Sequence, residues 1–135
     1  MSDTIKLEIV TPEKTVYSER VDMVTLPGIE GQMGVLPHHV RLMTQLVPGE
    51  LIINKDGRES FLAVGDGLVE VTGEHVAIVT NMAIPAEHIN EAAAEEARQR
   101  AAARLREKLS AEEVASVNAS LARSLAQLNL KRRRH

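Results

Sequence analysis

The sequence predicts an α+β chain in two parts: an all-β sandwich or barrel over residues 1–85, then an antiparallel α-helical hairpin over residues 86–135. Three observations carry this. Before Pro85 the apolar residues alternate or fall in short runs, and no helical period appears. All eight glycines lie at or before Gly73, whereas alanine dominates the later segment. The charge changes sign as well. Six Lys and Arg against twelve Asp and Glu give −6 up to Ile84, and ten against seven give +3 from Pro85 onward, summing to the chain's −3. A switch from Gly/Val/Ile to Ala/Arg/Glu is a change of structural period, not only of surface.

The β elements follow in order. Ile5, Leu7 and Ile9 face one way while Lys6 and Glu8 face the other, as in a half-buried strand. Val21, Met23 and Thr25 repeat the alternation less cleanly. Leu26 to His39, with glycines at 28, 31 and 34, reads as a long, sharply bent surface loop whose ends Pro27 and Pro37 fix. Ile29, Met33, Val35 and Leu36 make it more apolar than a solvated turn, which suggests that a partner docks there. Further short runs are Leu51–Ile53, Phe61–Val64, Leu68–Val71 and Val76–Val79. Asp56-Gly57 marks a hairpin; Gly65-Asp66-Gly67 and Thr72-Gly73 punctuate the next strands.

Two helices are expected next, near 87–108 and 111–130, joined by almost no loop. Ile89, Ala93, Ala97, Ala101, Leu105 and Leu109 step by four along one stripe of the first. Ser110 and Glu113 have the spacing of a capping box. Val114, Val117, Leu121, Leu125 and Leu128 give the second helix a heptad-like seam. The first helix offers mostly alanine to its partner. A buried methylene contributes about 0.8 kcal/mol and a buried Leu roughly 1.5–3, so an alanine seam packs closely but holds weakly. Alanine also has the best helix propensity, so each helix could outlast their mutual contact. That is the profile of a movable arm; a static, solvated hairpin docked on the β part is the plainer alternative.

Composition narrows the function. There is no cysteine, hence no disulfide and no thiolate chemistry. Tyr17 and Phe61 are the only aromatics, which argues against a stacking platform for single-stranded nucleic acid. The apolar runs are far too short to span a bilayer, and the polar start Met1-Ser2-Asp3-Thr4 does not read as a signal peptide. The glycine loop lacks a following Lys-Ser/Thr or a helix start, so it is no phosphate cradle. His38 and His39 point apart on extended chain, and His75 and His88 stand alone, so no metal site is expected. No nucleophile elbow or triad order is present, and no catalytic residue is assigned. Lys131 to Arg134 reads first as a frayed, solvated tail at a helix end, with nucleic acid, an anionic membrane or an acidic protein surface as its possible partners.

The opening strand, Thr11-Pro-Glu-Lys-Thr-Val-Tyr-Ser18, Leu26-Pro-Gly, Gly31-Gln-Met-Gly-Val-Leu-Pro-His-His-Val-Arg-Leu-Met-Thr44 and Pro48-Gly49 together resemble the epsilon subunits of bacterial rotary (F-type) ATP synthases. The likeness spans essentially the whole chain. It implies a ten-stranded β-sandwich that binds the gamma subunit and sits on the membrane c-ring, within the central stalk that carries torque from proton flow to the catalytic head. It implies no catalytic residues, no required cofactor, and a peripheral place on the cytoplasmic face of the bacterial inner membrane. The C-terminal hairpin would fold against the sandwich or extend into the alpha/beta head and block rotation. A free-standing nucleotide-sensing or nucleic-acid-binding β-domain is the alternative class.

Carried over residue by residue, the ring- and gamma-facing loop falls on Glu30, Gly31, Gln32, Met33 and His39. Gln32 stands where several relatives carry Glu, so a salt bridge there is not expected. The inhibitory contacts to the beta subunits fall on Arg123, Lys131, Arg132, Arg133 and Arg134. Some relatives bind ATP through Ile/Leu-Asp-x-x-Arg-Ala on the folded hairpin. Here Asn90 replaces the Asp and Ala93 the Arg, Gln127 lacks a charge, and Arg100 and Arg123 remain. Losing charge-assisted bonds of roughly 1.5–3 kcal/mol each leaves ATP a weak regulatory ligand at most.

Overall fold

The computed structural model describes residues 3–134; Met1 and Ser2 of the polar start, His135 and the side chain of Arg134 lie outside the described residues. Ten strands come first: β1 (Ile5–Val10), β2 (Thr15–Val21), β3 (Met23–Gly28), β4 (Gly31–Val35), β5 (Leu42–Leu46), β6 (Gly49–Lys55), β7 (Arg58–Val64), β8 (Gly67–Val71), β9 (His75–Thr80) and β10 (Ala83–Pro85). A 3-10 turn (Ala86–His88) leads to α1 (Glu91–Arg104) and α2 (Ala111–Arg134). This is the β-sandwich followed by a helical hairpin that the sequence predicts.

The strands run in the order β10-β7-β6-β3-β5-β8-β9-β1-β2, with β4 on the flank of β3. Every pairing is antiparallel except β1 with β9. Strand β3 is the hinge of the ladder: Met23 to Thr25 pair with β6, while Gly28 pairs with Leu46 of β5. Lys55 on β6 and Glu19 on β2 form an ion pair where the ladder closes on itself. Ile5, Leu7 and Ile9 are fully buried and alternate with half-buried neighbours, as the period-2 pattern requires. They join Leu26, Leu51, Ile53, Val69, Val71, Val76 and Ile78 in an aliphatic core, with Tyr17 at its margin.

Two β expectations are corrected. Val24 and Leu26, not Met23 and Thr25, continue the buried set after Val21. Asp22 breaks the strand, its amide bonding Asn54 O at 2.9 Å, and a one-residue interruption exchanges the two faces. The Leu26–His39 stretch is not a long loop but mostly a hairpin. Gly28 opposes Gly31 across the two-residue turn Ile29-Glu30. Glycine-rich strands carry too few side chains to show alternation. The Asp56-Gly57 hairpin is as expected; φ is +53° and +77° at its two residues, the left-handed pair of a tight primed turn.

The helices are also revised. Asn90 caps α1 by accepting the Ala93 amide at 3.0 Å, so α1 starts at Glu91 and ends at Arg104 rather than spanning 87–108. Six residues, not almost none, then lead to α2, which continues to Arg134 rather than stopping at 130. Its capping box forms: Glu113 N–H donates to Ser110 Oγ at 3.2 Å, and Ser110 N–H to Glu113 Oε1 at 3.1 Å. The step-of-four stripe fails because each such step overshoots a turn by about 40°. Ala93 is exposed and Leu105 is 36% exposed, whereas Ala94 and Ala101 are buried. Ile89 packs on the sandwich with Ala63, Met82, Ala126 and Leu130. On α2, Val117 and Leu128 are buried as expected, but Leu125 is not. Ala126 and Leu130 form a second buried face, packed on Ala63, Met82 and Ile89, while Ser124 is buried on the side of Val117 and Leu128. One side of α2 meets α1, and another lies over β6 and β7.

Candidate functional site

The first surface is the β3–β4 hairpin. Gly31 adopts φ +120°, a conformation that strains any residue with a Cβ, so glycine is required where β4 begins. The turn projects Ile29 and Glu30 into solvent, and Gln32 is exposed on β4. Met33 is half-buried against the core. Glu30, Gly31, Gln32 and Met33 line one shallow hollow of about 230 Å³ with Gly28, Leu42 and Thr44. His39 is not part of it. Its Nδ1 lies 2.8 Å from Val40 O, in the turn beyond Pro37. The structure thus brings four of the five loop residues together.

A second surface was not visible in the sequence. Leu68 and Val79 are each 59% exposed, although both belong to the short apolar runs that mark the strands. They are adjacent across β8 and β9, and Val79 is adjacent to Val10 on β1. Met43 is 67% exposed on neighbouring β5, and Ile29, 55% exposed, hydrogen-bonds Gln45 O through its amide at 3.0 Å. A sheet with one face on a core should expose polar side chains on the other. Part of the signal was present: the unbroken run Val76–Val79 must aim alternate members outward, whereas Glu70 interrupts the run on β8.

The hairpin carries the remaining candidates. Arg100 and Arg123 line a groove of about 390 Å³ between the helices, together with Arg104, Ser116 and Ser120. Arg104 also faces Glu107 and Glu113, at 3.3 and 3.5 Å. Asn90 does not line this groove; its side-chain oxygen serves the α1 cap. The basic end of α2 is not the frayed tail that was expected. Arg132 Nε lies 2.9 Å from Glu91 Oε1 and its Nη2 lies 3.1 Å from Glu95 Oε2. Arg133 pairs with Glu50, and Lys131 Nζ approaches Ala86 O at 3.5 Å. Glu95 also accepts from Arg98 Nε at 3.1 Å. Hydrogen bonding from Arg98 chiefly, with help from Gln99 and Arg132, outweighs a burial cost and holds its carboxyl at about 2 instead of 4.5.

His38 and His75 are engaged by carboxylates, with Asp3 and Glu8 each at 2.9 Å. Among the described residues no three His, Asp or Glu side chains converge as a metal ion requires, and no helix is long and apolar enough to cross a membrane.

Both parts of the chain match known families. Residues 4–86 match the family of the ATP synthase delta/epsilon chain beta-sandwich domain, and residues 87–131 that of its long alpha-helix domain. The ATP synthase epsilon chain of Dehalococcoides mccartyi is 43% identical over 134 residues, covering 97% of this chain and 96% of its own. That of Herpetosiphon aurantiacus is 41% identical over 126 residues, covering 93% of each. A chain of the Euglena gracilis mitochondrial ATP synthase, solved as OSCP/F1/c-ring, superposes with a TM-score of 0.78 at 26% identity, over 93% of this chain and 79% of that one. A chain of the Tetrahymena thermophila central stalk/c-ring structure shares the fold, with a TM-score of 0.68 at 12% identity. Two domain matches in the same order, and relatives aligned nearly end to end, leave no part of the fold unaccounted for: the chain belongs to the ATP synthase epsilon-chain family.

Proposed function

We propose that this protein is a non-catalytic central-stalk subunit of a proton-translocating F-type ATP synthase. In this reading it couples c-ring rotation to the alpha/beta head, and its hairpin acts as a brake on ATP hydrolysis when extended. The observation that carries it is the near-complete likeness to a chain solved within an F1/c-ring assembly. The two sandwich surfaces support it. The polar, close-approach hollow at Glu30, Gly31, Gln32 and Met33 suits the loops of the c-ring, with His39 beside it. The exposed apolar side chains of Leu68 and Val79, paired across β8 and β9, with Met43 diagonal to Leu68 on β5, suit the gamma subunit, because exposed apolar side chains close together are where partners dock. The hairpin supports a brake: α1 gives the helix pair only Ala94 and Ala101 as buried residues. Arg123 and Lys131 through Arg134 are the contacts assigned to acidic beta-subunit surfaces. The membrane is reached only through the complex, on its cytoplasmic side.

Capture with the tagged full chain should bring down gamma and c-ring proteins; their absence overturns the reading. Deleting residues from 87 onward should raise the ATPase rate of the assembled complex. An unchanged rate removes the brake and leaves the stalk role standing.

ATP is at most a weak ligand of the groove at Arg100 and Arg123. Those two arginines supply charge, but Asn90 is turned to its cap and brings no carboxylate. A thermal-shift titration should show no micromolar ATP dissociation constant.

A further inference from the structure

We infer that the basic end of α2 is an electrostatic latch that holds the hairpin down and withholds its own cations from any acidic partner. This rests on the reading of the hairpin as a mobile brake. The observation is a junction of three bodies at two consecutive residues. Arg132 reaches α1 through Glu91 and Glu95, at 2.9 and 3.1 Å, while Arg133 reaches the sandwich through Glu50 at the start of β6. Neighbouring helical residues point about 100° apart, so the pair diverges and ties α2 to both supports at once. Glu50's side chain is 12% exposed and that of Glu95 27%, so two of the three acids are partly removed from water.

The apolar contact beneath is small: Ala126 and Leu130 of α2 against Ala63, Met82 and Ile89, edged by Phe61, Ile84 and Ala86. An isolated surface ion pair adds little, but a network anchored on half-buried acids adds more. With so thin an apolar seam, the network decides how often the hairpin is seated. The same arginines cannot bond Glu50, Glu91 and Glu95 and an acidic head surface at the same time. Undocking and head contact are therefore one competition for one set of cations.

The chain has no cysteine, so two labels can be introduced into the full-length protein, at Asn118→Cys on α2 and Glu13→Cys in the turn between β1 and β2, both exposed. Pulsed electron spin resonance then reads the distance between them. At low salt a single docked distance is expected. Replacing Glu50, Glu91 and Glu95 by Gln, or adding salt to about 1 M with all three acids present, should raise a second, longer-distance population about tenfold. Arg133→Glu should do the same, and adding Glu50→Lys should reverse it, a rescue that lost packing alone would not show. An unchanged distribution in the triple variant and across the salt series overturns the latch. Capture of gamma by the same labelled chain separates the two readings: gamma retained with unmoved distances sinks the latch alone, and gamma absent sinks the stalk reading.

Discussion

Ser110 shows how much a single side chain decides here. Its hydroxyl and the Glu113 carboxylate satisfy each other's amides at the start of α2, where no helical carbonyl can reach. Ser110→Ala should cost about 1 kcal/mol of hairpin stability, read as lost helicity on warming, while Ser110→Asp keeps most of it. Leu7, wholly buried in β1, is of another order: Leu7→Ala should cost roughly 2–5 kcal/mol in denaturant unfolding of the sandwich. Both roles were legible in the sequence, because a cap and an alternating strand are set by near neighbours. Gly67 was not. It reads as turn punctuation, yet any Cβ there would strike the carbonyl oxygen of Val79 on the paired strand. That requirement comes from a residue twelve positions away, and only the pairing of β8 with β9 reveals it.

Among the elements, α2 shows the limit of periodicity. Its seam toward α1 was readable from Val117 and Leu128, but its face toward the sandwich rests on Ala126 and Leu130. A face this small is buried only when a flat sheet lies close against it, and no period announces the sheet. The β3–β4 hairpin was missed for the reverse reason: its glycines leave the strands without a pattern, although four of the candidate residues assigned to it do lie around one hollow. Charge ties the elements together in a way that pH can test. Glu95 is held at about 2 rather than 4.5, chiefly by hydrogen bonding from Arg98, and Glu113 is lowered by its bonds with Ser110. A carboxyl lowered by folding binds fewer protons in the folded chain. Its contribution is whole above about 4.5 and disappears as the pH falls toward about 2. The hairpin should therefore lose helical order in that window, because these bonds lie within α1 and at the cap of α2, while the aliphatic sandwich persists. Circular dichroism of the full chain against the version ending at residue 86 would show it: the helical signal falls between those values, and the β signal does not.

At the scale of the whole molecule, the sandwich turns two unlike faces outward, and they make opposite demands on mutation. Leu68 and Val79 are cross-strand partners and each is 59% exposed. Replacing both with Glu sets like charges opposite each other and should cost the sandwich about 1 kcal/mol in unfolding free energy, which leaves it folded. The larger cost should appear on assembly. If this row seats the gamma subunit, burying two carboxylates against its apolar surface should weaken capture by about 2 kcal/mol or more, roughly thirtyfold. If the β3–β4 hollow seats the c-ring, that contact should weaken only as far as it depends on gamma. Glu13→Gln, exposed in the turn between β1 and β2, is the matched control and should change neither. Co-purification of gamma with each variant, at equal folded concentration, is the measurement. Equal recovery with the double variant would move the gamma contact to another face and leave the apolar row without a partner. The physical reason to expect a loss is that adjacent exposed apolar side chains mark a docking surface, and a partner seated there would leave the two new carboxylates buried and unpaired.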